Sequence, residues 1–239
     1  MEFIREKSKN KYAKKKTTES ERQDFAEWIQ VQNEEDEREK QKQSTGIDYL
    51  IGEEATLRHY PKAFEYTQEE VDEVMEICKE RDRLKFTCYG KPATMWRRQV
   101  MFGCEYKFSG KVVTQHEGEQ PILVTKALDF AEQEFPGVGF NAVLAVFYEA
   151  GDYISPHRDG EKGLAKGQPI LGFSFGDSRA VKIKSHKRKR GEDGFNQMEM
   201  VMEDGSCYIM HGPRFQQDFT HGVGKGTGER LSLTVRMFN

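Results

Sequence analysis

From Gly139 onward the chain breaks into short runs rich in β-branched and aromatic residues, cut repeatedly by Gly, Asp and Pro. The runs fall at 142–148, 169–175, 179–184, 197–202, 206–210, 218–221 and 230–238. Runs this short, each bounded by turn residues, predict antiparallel strands rather than helices. Many such strands behind flanking helices predict a mainly β (α+β) fold, a double-stranded β-helix or jelly roll, with the helices supporting one sheet.

Two helices are expected to provide that support. Across 67–82, Val71, Val74, Met75 and Cys78 stand at i, i+3, i+4 and i+7, with Thr67 as cap and Glu70 three residues on. Across 122–134, Leu123, Ala127, Leu128 and Ala131 share one side before Pro136-Gly137 ends the helix. Residues 1–45 differ in kind. A basic cluster (Lys7, Lys9, Lys11, Lys14, Lys15, Lys16) turns acidic at Glu34 to Glu37, leaving little to bury. One amphipathic helix over 19–41, around Phe25, Trp28, Ile29 and Val31, or a disordered arm, fits this stretch. The organisation expected is an arm (1–45), supporting helices and a lid (46–139) and a barrel (140–239), with 46–239 as one structural domain.

A net charge of -3 means that attraction to a polyanion must come from local patches. Cys78, Cys88, Cys104 and Cys207 show no CxxC spacing, and no secretory leader or long apolar run is evident. The expectation is a monomer without membrane contact, in a reducing intracellular compartment, nucleus or cytoplasm.

His157 and Asp159 are two residues apart, which in extended chain turns both side chains to one face. Such a pair alone also fits a solvated turn. With one more histidine it gives the facial set that leaves open positions on Fe(II). His221, in a short strand entering a glycine-rich turn, is the preferred third ligand, and His211 beside Gly212-Pro213 is its competitor. His59, His116 and His186 suit the role less.

The last strand, 230–237, has a strict period of two. Leu231, Leu233, Val235 and Met237 share one face, and Arg230, Ser232, Thr234 and Arg236 the other. On an ordinary strand the polar face would be wet. Inside a small barrel it lines the lumen, where two arginine forks suit a dicarboxylate.

Tyr148-Glu149-Ala150-Gly151, His157-Arg158-Asp159, His221-Gly222-Val223 and Arg230 to Arg236 together resemble the signature of the AlkB family of Fe(II)/2-oxoglutarate-dependent nucleic-acid dealkylating dioxygenases. The resemblance implies that His157, Asp159 and His221 hold Fe(II) and form the catalytic centre, with 2-oxoglutarate and O2 as cosubstrates. It implies that Arg230 binds the distal carboxylate, that Arg236 supports the end nearer the metal, and that Tyr148, Ser232 and Thr234 complete the cosubstrate site. Val146 and Ser232 stand where the family has Asn, which implies weaker cosubstrate binding. Gly160 removes a carboxylate near the substrate base, leaving Glu161 as the nearest candidate.

Upstream, 88–92, 96–103 and 106–110 are similar to the nucleotide lid of members acting on duplex DNA. That similarity implies Tyr89 as a wedge beside Gly90, Phe108 as a stacking platform, Arg97 as a backbone contact, and Gln99 and Tyr106 at the substrate. A base inside a duplex must in any case be rotated out to reach a buried metal. The basic run Lys182 to Arg190, with Lys184, Lys187, Arg188, Lys189 and Arg190, is expected on a hairpin loop, where it meets phosphates, serves as a nuclear-import signal or is merely solvated. The implied function is oxidative removal of N-alkyl groups from nucleic-acid bases, as in DNA repair. The alternatives are an oxygenase acting on RNA or on a protein side chain, and a silent jelly-roll module that binds nucleic acid.

Overall fold

The structure, a computed structural model, describes residues 45–88, 90–108, 111–186 and 196–239. The helix expected over 19–41 lies outside the described residues. In chain order the elements are β1 (Ile47–Gly52), β2 (Ala55–Tyr60), α1 (Gln68–Lys79), β3 (Lys85–Cys88), β4 (Lys91–Thr94), β5 (Arg98–Phe102), β6 (Tyr106–Phe108), β7 (Lys111–Val113) and α2 (Ile122–Glu134). There follow β8 (Ala142–Tyr148), β9 (Ile154–His157), β10 (Ile170–Gly176), β11 (Arg179–Ser185), β12 (Gln197–Met202), β13 (Cys207–His211), the single turn α3 (Phe215–Asp218), β14 (Phe219–Val223) and β15 (Arg230–Arg236).

Two sheets face each other. The larger runs β1-β2-β13-β10-β15-β8-β5 and the smaller β12-β11-β14-β9, while β3-β4 and β6-β7 are separate hairpins. This is the expected jelly roll, with one difference at its boundary. The barrel sheet does not begin at 140, because β2 pairs with β13 and β5 pairs with β8. β8 is buried along all seven residues and so needs a hydrogen-bonding partner on each edge. β15 provides one and β5 the other.

Period-two patterning divides the core into two layers. The outward residues of β15 (Leu231, Leu233, Val235) and β8 (Val143, Ala145, Phe147) pack with Val71, Val74, Leu123 and Ala127 of the helices. The inward residues of β8 (Leu144, Val146, Tyr148) join Val181, Ile183 and Tyr208 between the sheets. α1 begins with the predicted capping box, Thr67 Oγ1 accepting from the Glu70 N–H at 3.3 Å and the Glu70 carboxylate accepting from the Thr67 N–H at 3.1 Å. Lys126 of α2 donates to the same Glu70 at 2.7 Å and ties the helices together. No helix among the described residues is long and apolar enough to cross a membrane.

β9 was not among the expected strands, because Pro156 cannot donate to a ladder and weakens a strand reading. It is accommodated at the edge of the smaller sheet. Asp218, expected in a strand, closes α3 instead.

Arg179, at the start of β11, is fully buried. Its guanidinium donates to Asp152 O at 2.6 Å, Glu149 O at 3.1 Å and Gly228 O at 2.7 Å, pinning the turn after β8 to the loop before β15. Arg179→Leu strands these carbonyls, and urea unfolding should show a loss of about 3 kcal/mol or more. A change within about 0.5 kcal/mol, the range of ordinary surface substitutions, would show that the pin is dispensable.

Candidate active site

β9 and β14 are antiparallel neighbours, and their register sets His157 directly opposite His221. The two imidazole centroids are 4.3 Å apart. Asp159 follows just beyond the end of β9. Its Oδ1 lies 3.6 Å from His157 Nε2 and its Oδ2 3.7 Å from His221 Nε2. One ligand atom from each of the three residues falls within 4.8 Å of the others, so the set can hold a metal ion. His211 is not in this set. It ends β13 opposite Thr56 in the other sheet, with its ring beside Phe135.

The electrostatics suit a cation. Burial pushes the Asp159 carboxyl upward, but Arg236, with His221 and His157, outweighs that effect and holds it below the usual carboxylate range. Arg236 Nη2 donates to Oδ1 at 2.9 Å. Oδ2 is buried without a hydrogen-bond partner and faces the imidazole of His221. A buried carboxylate oxygen left open in this way is costly unless a cation satisfies it. Burial also lowers the His221 pKa to about 4, against the pull of Asp159, so the imidazole is neutral at pH 7 as a ligand must be.

The polar face of β15 lies toward the space between the sheets, as its period predicts. Arg230 is fully buried, with Nε donating to Ser174 Oγ at 2.8 Å and its Cζ 5.0 Å from the centroid of the Tyr148 ring. Its Nη1 and Nη2 have no partner in hydrogen-bonding geometry. Burial works against its charge, and the phenols of Tyr148 and Tyr208 work in its favour. A guanidinium buried beside the Tyr148 phenol is suited to a carboxylate, although Arg230 lies behind the cavity wall and not on it. The Ser232 hydroxyl, by contrast, already donates to Phe173 O at 3.0 Å.

A cavity of about 670 Å³ opens over the triad and takes in Tyr148, Ser232, Thr234 and Arg236 from the floor. Arg97, Gln99 and Glu161 of the expected substrate set also line it. Gly90 does not; it occupies the turn between β3 and β4 with a φ of 76°. Tyr106 and Phe108 lie on β6, and Tyr89 lies outside the described residues. Of the basic run, Lys182 and Lys184 belong to β11, in the strand expected over 179–184 and not on the hairpin loop, with Lys182 paired to Glu199 at 2.9 Å, whereas Lys187, Arg188, Lys189 and Arg190 lie outside the described residues.

Sequence reasoning missed four contributors. Ser174 was legible, since it alternates with Phe173 and Phe175 and so must face inward. Gln216, whose Oε1 accepts from the Asp159 N–H at 2.9 Å, sits in a turn with no periodic signal. Trp96 and Tyr208 line the cavity, and aromatic residues in a strand-rich chain do not reveal from sequence which of them face a site.

The depressed His221 pKa has a consequence for stability. Between about 6.5 and about 4 the unfolded chain binds a proton that the folded chain refuses, so stability is full above pH 6.5 and falls as pH drops through that window. The metal-free protein should therefore lose Tm steadily from pH 7 to pH 4 in calorimetry, and His221→Phe should flatten the slope. An unchanged slope in the variant would show that His221 is not its source.

Residues 57–236 match the model of the 2OG-Fe(II) oxygenase superfamily. DNA oxidative demethylase ALKBH2 of Mus musculus is 34% identical over 136 residues, covering 54% of this chain and 55% of that protein. The Homo sapiens protein of the same name is 30% identical over 158 residues, covering 62% and 59%. The chain thus spans little more than half the length of these curated relatives. The solved structure of OsALKBH1 overlaps it with a TM-score of 0.49 at 17% identity, over 80% of this chain and 100% of that one, too loosely to bear on the reading. Fe(II) and 2-oxoglutarate are the cofactor and cosubstrate that the superfamily name carries, and the His-Asp-His set fits the metal. Matched over most of its length by one family model, and similar over about half its length to DNA oxidative demethylases named ALKBH2, this chain belongs to the 2OG-Fe(II) oxygenase superfamily.

Proposed function

We propose that this protein oxidatively removes N-alkyl groups, methyl above all, from nucleic-acid bases, with alkylated DNA as its substrate. The observation that carries the reading is the cavity itself. It joins the metal triad to a wall formed by Trp96, Arg97 and Gln99, in a volume within the range of small-molecule sites. The name of the ALKBH2 relatives supports DNA as the substrate.

His157, Asp159 and His221 hold the metal, and Arg236 fixes the carboxylate by occupying Oδ1 while Oδ2 stays turned to the site. Arg230, backed by Ser174 and Tyr148, receives the distal carboxylate of 2-oxoglutarate. When bound, Fe(II) supplies the oxidation in which one oxygen of O2 goes to succinate and the other to the N-alkyl carbon, which leaves as an aldehyde while CO2 is released. Leu144, Val146 and Val223 keep the chamber largely apolar, which limits water around the reacting carbon. Glu161, at the cavity wall 3.9 Å from Arg236, is placed to accept a hydrogen bond from an amino group of the base.

The test is a panel of methylated single- and double-stranded DNA and RNA oligomers and methylated peptides, incubated with Fe(II), 2-oxoglutarate and O2. Loss of the methyl mass from DNA with matching succinate is expected. Turnover confined to RNA or to peptide would move the substrate class, and metal binding with no turnover at all would leave a binding module. Asp159→Ala should keep the fold and lose turnover by at least about a hundredfold, since it removes a ligand outright rather than a supporting contact. An active Asp159→Ala protein would sink the metal assignment.

A further inference from the structure

We propose that Tyr208 is a further cosubstrate-binding residue, donating its hydroxyl to the dicarboxylate held between Arg230 and the metal triad. The inference rests on the reading of the lumen as a 2-oxoglutarate site, and it deepens that reading. None of the sequence motifs includes Tyr208.

Strand register places it. One row across the inner face of the larger sheet reads Tyr208, Gly172, Thr234 and Leu144, through the pairs of β13 with β10, β10 with β15, and β15 with β8. The next row toward Arg230 reads Ser174, Ser232 and Val146, and the one beyond it Gly176, Arg230 and Tyr148. Tyr208 therefore belongs to the stretch of floor between Arg230 and Arg236.

The middle of that floor has few donors. Leu144 and Val146 are apolar, and the Ser232 hydroxyl is committed to Phe173 O. Ser174 is drawn to Arg230, which leaves the hydroxyls of Thr234 and Tyr208, in one row, as the donors that face the cavity. A dicarboxylate spanning from Arg230 to the metal needs hydrogen bonds along this stretch, because a buried charged group left without them is costly. Tyr208 is buried yet lines the cavity, and among the described residues its hydroxyl makes no hydrogen bond. It lies within electrostatic reach of Asp159 and Arg236 at one end and of Arg230 and Tyr148 at the other. Burial keeps the phenol protonated and hence a donor.

Gly172 makes the placement possible. A Cβ there would come within 2.5 Å of two ring carbons of Tyr208 and 2.8 Å of its oxygen, so the ring lies flat across the strand in space that only glycine leaves. A phenol folded onto the sheet floor is held in place before the ligand arrives, which lowers the cost of binding.

The experiment is titration calorimetry of 2-oxoglutarate into the protein loaded with Mn(II), which binds oxygen and nitrogen ligands without turnover, for the wild type and Tyr208→Phe. Phe keeps the ring and removes only the hydroxyl. The expected result is 2-oxoglutarate affinity weakened roughly 10-fold to 100-fold, the range for hydrogen bonds to charged groups, with Mn(II) affinity and Tm unchanged. Equal 2-oxoglutarate affinity in the two proteins would overturn the role of Tyr208 and leave the lumen reading intact. Parallel loss of Mn(II) affinity would overturn it in favour of a structural role. A wild-type protein that binds Mn(II) but no 2-oxoglutarate would remove the lumen reading, and this inference with it.

Discussion

The buried ion pair between Arg236 and Asp159 joins the two halves of the site. Its partners belong to different sheets, since β15 sits in the larger sheet and Asp159 follows β9, the edge strand of the smaller one. Two charges buried together in this way gain little net stability, because desolvation offsets most of their attraction. What the pair provides is direction. A carboxylate whose Oδ1 is held by a guanidinium at 2.9 Å cannot rotate freely, so Oδ2 stays beside His221. The Asp159 N–H adds a second restraint through Gln216, whose helical turn α3 runs straight into β14 and thus into His221. The metal ligands are therefore oriented by contacts that contain no metal.

Because side chains alternate along a strand, β15 is structural and chemical at once. Leu231, Leu233 and Val235 are fully buried against the helices, and the residues between them face the lumen. A slip of one residue would bury both arginines in the apolar layer and turn three aliphatic side chains into the site. The burial that fixes this register also fixes the spacing of the two guanidinium groups. The fold thus positions the site with the same interactions that hold it together.

This explains which parts were legible in sequence. The period of two in 230–237 announced both faces of β15, and the HxD pair announced two ligands, because both signals are local and geometric. The distinction between His221 and His211 needed more than spacing, because it is the pairing of β14 with β9 that brings His221 opposite His157. β9 was invisible because its four residues include Pro156, which only an edge position tolerates. The recruitment of β2 and β5 into the barrel was equally hidden. Strand pairing at a distance, about 45 residues for β5 with β8 and about 150 for β2 with β13, leaves no local trace, so from sequence 46–139 reads as support and lid alone. Tyr208 stayed unread for a related reason: its importance depends on a glycine in the neighbouring strand.

The charge around the cavity mouth limits how a polyanion can approach. Glu149, in the turn after β8, takes Arg83 at 2.7 Å and forms a second ion pair with Arg98, and these arginines hold its carboxyl below the usual range. Arg98 begins β5, and Arg83 stands just before β3, so one carboxylate gathers the base of the lid to the barrel. Arg179 secures the same turn from inside through the Glu149 and Asp152 carbonyls. Two arginines near the mouth are thereby largely neutralised, and solvent screening weakens what remains of their field. In a chain of net charge -3, attraction for a polyanion must then fall to cations less fully paired, such as exposed Arg158, which stands one residue from each of two candidate metal ligands and, among the described residues, meets the imidazole of His186 at 3.4 Å.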